Sequence, residues 1–228
     1  NRRNPAAAIH ARHQDRYPQH AQSDDLHEAT LDWLAERDED RPFFLYVHSM
    51  DPHAPYRAPE PFRTRLAGGV GPGDRASYSA IEALARGAVS PELLEKLEAL
   101  YDAEIAANDH ALGTLLDDLR ERGLYDDTLI LFLSDHGEAF WERQQLGHGH
   151  NLHAETLDIP LIIKSPENRA PTPGRVQRPV SHVDLLPTIL DTLQFAPAPD
   201  ADGHSFAGLI DTDAPLPADE LAALPGSL

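Results

Sequence analysis

Apolar residues recur at helical spacing in three segments of the chain. The first segment begins at Asp25, and either Asp24 or Asp25 is available as its N-cap. The second begins at Ser90, where Ser-Pro-Glu supplies an N-cap, a first-turn proline and an acid, and it ends at Gly123. The third follows Asp184, which we expect to cap it. The apolar positions are Leu26, Ala29, Trp33 and Leu34 in the first segment, Leu93, Leu97, Leu100, Ile105, Leu112, Leu115, Leu116 and Leu119 in the second, and Leu186, Ile189, Leu190 and Leu193 in the third.

Three other segments have the composition of β-strands. Residues 43–48 are dense in aromatic and branched side chains and lead into a proline-rich loop, which predicts a buried strand. Residues 128–134 form a nearly continuous apolar run, typical of a strand that helices cover on both faces. A third strand is predicted over residues 159–164. Strands that alternate with helices in this way predict an α/β fold with a mixed central sheet sandwiched by helices.

Less patterned sequence surrounds and interrupts these elements. Residues 1–24 are polar and show no period, residues 57–89 are rich in Gly, Pro and Ala, and residues 211–228 form a C-terminal tail. We therefore expect one domain over residues 25–210, with a surface excursion at 57–89. Because the chain has no initiator Met, we expect it to be a piece of a longer protein.

Composition narrows the possible functions. The 228 residues are 41% hydrophobic, enough for a sizeable core, and carry a net charge of −19. Such an acidic chain is not expected to bind nucleic acid nonspecifically, and an anionic substrate would need a local cationic site. The chain has no cysteine, which excludes disulfides, thiolate ligands and a cysteine nucleophile from this piece. No apolar run reaches the roughly 20 residues that a membrane-spanning helix needs.

Polar residues capable of chemistry follow two of the predicted strands. In open α/β sheets ligands bind beyond the carboxyl ends of the strands, so these positions carry weight. Imidazole and carboxylate are the usual ligands of divalent cations where Cys is absent. The first cluster comprises His48, Asp51 and His53, and the second comprises Asp135, His136, His148, His150 and His153.

A structural explanation is available for part of this set. An Asp at a strand end, followed here by Gly137, is equally typical of a turn without a metal. His153 alternates with apolar residues, so we interpret it as packed or exposed rather than as a ligand. The remaining histidines are given no role: His10, His13, His20 and His27 are expected to be solvated, His110 is expected on the surface, and His182 and His204 are too isolated to assign.

Four stretches of the sequence, taken together, resemble a known family. They are PFFLYVHSMDPHAPY, YDAEIAANDHALGTLLDDLRERGLYDDTLILFLSDHGE, GHGHNLHAETLDIPLIIKSP and VSHVDLLPTILDTL. They resemble successive motifs of the sulfatase family within the alkaline-phosphatase superfamily, in a consistent order over residues 25–210. Several independent motifs in order are far more specific than one tripeptide. The resemblance implies an alkaline-phosphatase-like fold, incomplete in this chain, and metal-dependent hydrolysis of sulfate esters.

The resemblance also implies roles for individual residues. Asp135 and His136 match the strand-end pair that supplies half of the metal ligands. His53 matches a histidine that contacts the sulfate ester and assists proton transfer. His148 lies near the position of the cationic residue that stabilises the leaving-group oxygen, and His150 is the alternate candidate. The Ser-His-Val-Asp stretch ending at Asp184 resembles a segment that packs the end of the domain.

Other parts of the implied site are not found in this chain. The family completes its metal site with an acidic pair near the N-terminus, and a Cys or Ser there becomes the formylglycine nucleophile. A basic cluster follows that motif and binds the sulfate. We expect one divalent ion, Ca²⁺ or Mn²⁺, and a His ligand shifts the preference towards Mn²⁺ or Zn²⁺. The expected partner is a small-molecule or carbohydrate sulfate ester.

Alternatives remain open at this point. His at position 136, where many sulfatases have Asn, is compatible with a phosphodiesterase, a phosphonate hydrolase or a phosphoglycerol-type transferase of the same superfamily. A noncatalytic metal-binding pseudoenzyme, or an inactive fragment, is the alternative from another class. Localisation is not encoded in this piece, although the family resemblance fits the periplasm or the cell exterior. If strands are missing, residues 1–228 alone should be poorly soluble and inactive.

Overall fold

A computed structural model of the chain describes residues 23–68, 89–167 and 174–210. The helices are α1 (Ser23–Glu36), α2 (Phe62–Leu66), α3 (Pro91–Glu121), α4 (Ala154–Leu157), a 3₁₀ turn (His182–Asp184), α5 (Leu185–Thr192) and α6 (Ala207–Ile210). The strands are β1 (Ile130–Leu133), β2 (Ala139–Phe140), β3 (Leu146–Gly147) and β4 (Leu161–Lys164). The chain divides into two compact units, one of residues 1–125 and 132–161, the other of residues 126–131 and 162–228. The predictions for residues 1–22 and 211–228, and for most of 57–89, lie outside the described residues.

Helix α3 organises the first unit. Its start is as predicted, because the Ser90 hydroxyl accepts a hydrogen bond from the Leu93 amide at 3.3 Å and Pro91 follows the cap. The helix ends at Glu121, and Gly123 then adopts a φ of +68°, the left-handed conformation that glycine tolerates after a helix. The buried face comprises Leu97, Leu100, Ala103, Glu104, Ala107, Ala111, Leu115 and Leu119. Both α1 and α2 pack against this helix.

Helix α1 begins earlier than the sequence predicts. Asp24 and Asp25 lie inside its first turn, so the predicted N-cap is wrong. The cap comes from a distant residue: Asp51 Oδ2 accepts from the Ser23 amide at 2.8 Å and from the Ser23 hydroxyl at 2.7 Å. A carboxylate at this position satisfies an unpaired helical N–H and favours the positive end of the helix dipole.

The predicted buried strand over residues 43–48 is also wrong. This segment is not a strand among the described residues, and Phe44 and Tyr46 are 78% and 73% exposed. Phe43, Leu45 and Val47 are half-buried, so burial alternates along the segment. Only one face is therefore covered, partly by the edge-to-face contact of Trp33 with Phe43 at 5.9 Å between ring centroids. A β-strand needs a hydrogen-bonded neighbour as well as the right composition.

Strands β1 and β4 are hydrogen-bonded neighbours in a two-stranded sheet. Both are shorter than predicted, and Phe132 and Ile162 are 38% and 62% exposed. A pair of strands leaves side chains exposed that a wider sheet covered on both faces would bury. Lys164 Nζ closes the sheet end by donating to the carbonyl oxygens of Asp126 at 3.0 Å and Thr128 at 3.1 Å.

Strands β2 and β3 form a tight antiparallel hairpin that the sequence reading treats as loop. The register pairs Ala139 with Gly147 and Phe140 with Leu146. The connection contains two non-glycine residues with positive φ, Trp141 at 81° and Gln144 at 59°. These turn conformations are uncommon, and they let the chain reverse within five residues of the Phe140 strand end.

In the second unit, Asp184 lies at the start of α5 and links two backbone segments beside it. It occupies the predicted N-cap position but makes no side-chain cap hydrogen bond to α5, and its Oδ2 and Oδ1 accept from the amides of Ser181 and His204, both at 2.9 Å. Gly203 packs so closely that a Cβ there would lie 1.9 Å from the Val183 carbonyl oxygen. The backbone of the Ser-His-Val-Asp stretch thus packs against Gly203, while Val183 itself is 55% exposed.

Candidate active site

The Asp-His-Gly turn after β1 presents one carboxylate and one imidazole to solvent. Asp135 Oδ1 lies 3.6 Å from His136 Nε2, with the two side chains 67% and 38% exposed. The His136 Nδ1 donates to the Gly137 carbonyl oxygen at 2.9 Å, which leaves Nε2 as the nitrogen that carries the lone pair. An oxygen and a nitrogen donor side by side are suited to a divalent cation.

Gly137 is explained by packing rather than by ligand binding. A Cβ at this position would lie 2.3 Å from the carbonyl oxygen of Glu155 and 3.3 Å from the Cα of Thr156. The Gly137 amide in turn donates to the Thr156 carbonyl oxygen at 2.9 Å. The turn is therefore held against α4 by its backbone, and this contact positions Asp135 and His136 at the strand end.

Three of the predicted site histidines lie in a row. The ring of His148 is 3.9 Å from that of His136 and 5.3 Å from that of His53, measured between centroids. His148 is the middle member, so the structure brings together the predicted metal ligand and the two histidines predicted to act on the ester.

Glu138 is a further residue of the candidate site, and the sequence analysis did not predict it. It is only 8% exposed at its side chain, and its Oε1 lies 3.0 Å from His148 Nδ1. Its Oε2 accepts a hydrogen bond of 3.4 Å from the Tyr56 hydroxyl. The hairpin register accounts for the pairing, because the position before Ala139 is opposite the position after Gly147. The one signal in the sequence is the DHGE motif, in which Glu138 follows the predicted metal ligand His136 by two residues.

The same ring nitrogen is occupied in all three histidines. His53 Nδ1 contacts the Ala54 carbonyl oxygen at 2.7 Å, His136 Nδ1 contacts a carbonyl oxygen and His148 Nδ1 contacts the Glu138 carboxylate. These partners are acceptors, so each Nδ1 carries the proton. Chemistry at each ring is therefore left to Nε2, as a lone pair in the neutral form or as an N–H in the cation.

The loop that carries His53 is tied to the helices beneath it. The His53 amide donates to the Met50 carbonyl oxygen at 2.7 Å, and Asn108 Nδ2 donates to the Asp51 carbonyl oxygen at 3.0 Å. Glu104 is 2% exposed and accepts from the Arg57 amide. Burial, reinforced by the neighbouring Asp51, raises the pKa of the Glu104 carboxyl to about 8.

The remaining histidines lie outside the row. His150 is exposed, His48 pairs with the Tyr46 hydroxyl at 2.9 Å, and His153 is exposed at the start of α4. His110 is on the surface as expected, 5.6 Å from the ring of Phe62. The expectation that His27 is solvated is wrong: it is 6% exposed, because it lies on the inner face of α1. His182 and His204 belong to the second unit, and His10, His13 and His20 lie outside the described residues.

Across residues 23–68, 89–167 and 174–210, no three His, Asp or Glu side chains converge as a complete metal site. Asp135 and His136 supply two neighbouring donors, so they fit one half of such a site. Among the same residues, no helix is long and apolar enough to span a membrane.

The fold is of the alkaline-phosphatase-like α/β class. The structure is similar to the phosphonate monoester hydrolase of Agrobacterium radiobacter, with a TM-score of 0.69, 27% identity, and coverage of 87% of this chain and 44% of that one. Residues 2–195 match the sulfatase family. The chain belongs to the sulfatase family, as the motif order in the sequence predicts.

Two curated relatives illustrate the range of the family. The multifunctional alkaline phosphatase superfamily protein PehA of Trinickia caryophylli is 32% identical over 206 residues, 78% of this chain and 39% of its own length. An arylsulfatase of Clostridium perfringens is 27% identical over 194 residues, 80% of this chain and 40% of its own length. The chain thus spans about two-fifths of the length of these relatives.

Proposed function

We propose that the protein hydrolyses sulfate esters of small molecules or carbohydrates in a metal-dependent reaction. The observation that carries the proposal is the histidine row, in which the ring of His148 lies close to those of both His53 and His136, with Asp135 beside His136. Membership of the sulfatase family and similarity to an arylsulfatase support the choice of a sulfate ester.

Asp135 and His136 would hold the metal ion, proposed to be Ca²⁺ or Mn²⁺. When bound, such an ion offsets the negative charge on the nonbridging oxygens of the ester. The mixed oxygen and nitrogen donors favour Mn²⁺ or Zn²⁺ over Ca²⁺, which prefers oxygen ligands alone. The formylglycine nucleophile and the remaining ligands are proposed to lie in sequence that this chain does not contain.

His148 is suited to protonate the departing alkoxide or phenoxide. Its Nδ1 proton is held by the Glu138 carboxylate, which fixes the ring and offsets a positive charge on it. Its Nε2 can then carry the proton that the leaving oxygen needs. His53, whose ring centroid is 5.3 Å from that of His148, is proposed to contact the ester. His150 is the alternate to His148, but its exposed position outside the row argues for His148.

Hydrolysis of phosphonate monoesters or phosphodiesters is the second candidate function. It is favoured by the similarity to a phosphonate monoester hydrolase and to a protein named as multifunctional. Both reactions need charge neutralisation at an anionic ester and protonation of a leaving group, so the same residues could serve either.

The test compares substrates and histidine variants in the full-length protein. Turnover of aryl sulfate, aryl phosphonate monoester and aryl phosphodiester is measured for wild type, H148A, H150A and the surface control H110A. We expect aryl sulfate to be the best substrate and H148A to lose on the order of 100-fold or more in kcat. If only H150A loses turnover, His150 and not His148 protonates the leaving group. A strong preference for the phosphonate would favour the second candidate function.

A further inference from the structure

Partly buried hydrogen bonds join the His53 loop to α1 and α3. Asp51 Oδ2 accepts from the amide and hydroxyl of Ser23, and the Asp51 carbonyl oxygen accepts from Asn108 Nδ2. At the other end of the loop, the Arg57 amide donates to Glu104 Oε1. The loop is thus fixed on both sides of His53 by side chains outside the loop.

Glu104 occupies an unusual place on α3. Its neighbours on the buried face include Leu100, Ala103 and Ala107, and Glu104 itself is 2% exposed. A carboxyl in such a setting loses its hydration and is stabilising only if hydrogen bonds replace the water. One such hydrogen bond comes from the loop, where the Arg57 amide donates to Glu104, and an interaction with the Asp51 carboxyl adds to burial in raising the pKa of Glu104.

The contact with Asp51 requires a proton. Asp51 Oδ2 already accepts two hydrogen bonds from Ser23 at the start of α1. The shared proton is therefore assigned to Glu104, the more deeply buried of the two carboxyl groups. The raised pKa of Glu104 agrees with this assignment, since Asp51 and burial favour the neutral acid while Arg57 opposes it.

We propose that Glu104 is a positioning residue that acts as a neutral carboxylic acid and, with Asn108, holds the loop that presents His53. As a neutral acid it accepts from the Arg57 amide through one oxygen and donates to Asp51 through the other. The expected effect on catalysis rests on the proposed function, whereas the loop contacts are independent of it.

The variants that test this are E104Q, E104L and N108A in the full-length protein, with E98L as the matched control. Glu98 lies on the exposed side of the same helix. Gln keeps one acceptor and one donor, so E104Q should retain kcat and KM within about 3-fold. E104L fills the space without the hydrogen bonds and should lower kcat by about 10- to 100-fold, because small displacements of a reacting group are costly. Bound metal should not change in any of them.

The rate of amide hydrogen exchange at Arg57 measures the hydrogen bond between the loop and Glu104, and it needs no substrate. We expect slow exchange in wild type and E104Q and faster exchange in E104L. If wild type hydrolyses no ester, the proposed function fails and the exchange result still judges the loop contact. If E104L exchanges rapidly but keeps wild-type kcat, the positioning role is wrong, and if E104Q behaves like E104L, the neutral-acid role is wrong.

If E104L does not fold, N108A tests the positioning role instead. It removes a single hydrogen bond to the Asp51 carbonyl oxygen from a half-buried position. We expect a smaller fall in kcat, about 3- to 10-fold, with little change in KM. An unchanged kcat in N108A would overturn the role of this contact in presenting His53.

Discussion

At the residue scale, the site depends on how each imidazole is oriented. The Nδ1 atoms of His53 and His136 are held by neighbouring carbonyl oxygens, whereas that of His148 is held by a buried carboxylate. Glu138 thus distinguishes His148 from the other two rings electrostatically. A carboxylate partner both fixes the tautomer and stabilises a cationic ring, which suits a group that delivers a proton.

This difference leads to a prediction for Glu138→Gln. The amide retains an acceptor for Nδ1 but has no charge to offset a protonated His148, so kcat should fall by about 10- to 100-fold. The exposed Glu95→Gln on α3 is the control. Steady-state kinetics with an aryl sulfate measures the effect, and a kcat equal to that of the control would show that the Glu138 charge is dispensable.

Glu104 should make the stability of the fold depend on pH. Its pKa is raised from 4.5 to about 8 in the folded protein, so the folded state holds a proton that the unfolded chain has released between these values. The stabilisation is fully present below pH 4.5 and is lost as pH rises towards about 8, by at most about 1.4 kcal/mol per pH unit.

Denaturant unfolding from pH 5 to 9 measures this contribution in wild type and E104Q. Because Gln does not titrate, E104Q should become more stable relative to wild type as pH rises to about 8, after which the difference should level off. Parallel stability profiles would mean that Glu104 is ionised throughout in the folded protein.

Several site residues could be predicted from the sequence, and the reasons differ. Asp135 and His136 directly follow an apolar run, His53 and His148 stand in the polar loops that come after the two runs, and the structure places these residues close together, although their roles remain predictions. Glu104 could not be found in this way, since an acid on an amphipathic helix normally faces solvent. Its burial follows from contacts with a loop about 50 positions away in sequence.

At the element scale, helices were easier to predict than strands. The boundaries of α3 follow from a local cap and a terminal glycine, which are properties of neighbouring residues. The segment 43–48 has the composition of a strand, but strand formation depends on a partner far away in the chain. The β2–β3 hairpin was missed because its turn uses Trp141 and Gln144 at positive φ instead of the glycine or asparagine that marks such turns.

The close approach of the Asp-His-Gly turn to α4 gives a prediction for Gly137→Ala. The added Cβ would lie 2.3 Å from the Glu155 carbonyl oxygen, so the backbone must shift and stability should fall by about 2 kcal/mol or more. Metal affinity should also weaken, because the turn carries Asp135 and His136.

Gly113→Ala is the matched control for this substitution. Gly113 lies within α3 with no atom within 4 Å of a Cβ, so alanine should stabilise the helix by about 0.5–1 kcal/mol. Thermal unfolding of both variants measures the contrast. A Gly137→Ala protein as stable as wild type would show that the turn is not packed as described.

At the scale of the whole molecule, the acidic charge of the chain limits where an anionic substrate can bind. The chain carries a net charge of −19, so its average field repels an anionic ester. A substrate of that kind is attracted only where local positive charge outweighs this field, and the described residues offer the histidine row and the Asp135–His136 donors for a cation. The fold class and the family could be predicted because several family motifs occur in a consistent order along the chain. The extent of the sheet could not be predicted in this way.

The central claim is tested most directly by Asp135→Ala in the full-length protein, with the exposed Asp158→Ala as control. Bound metal is measured by elemental analysis, and turnover of an aryl sulfate is measured on the same samples. We expect Asp158→Ala to match wild type, and Asp135→Ala to lose the metal and nearly all turnover, because half of the described donor pair is gone. Retention of both metal and turnover in Asp135→Ala would contradict the assignment of the metal site and with it the proposed reaction.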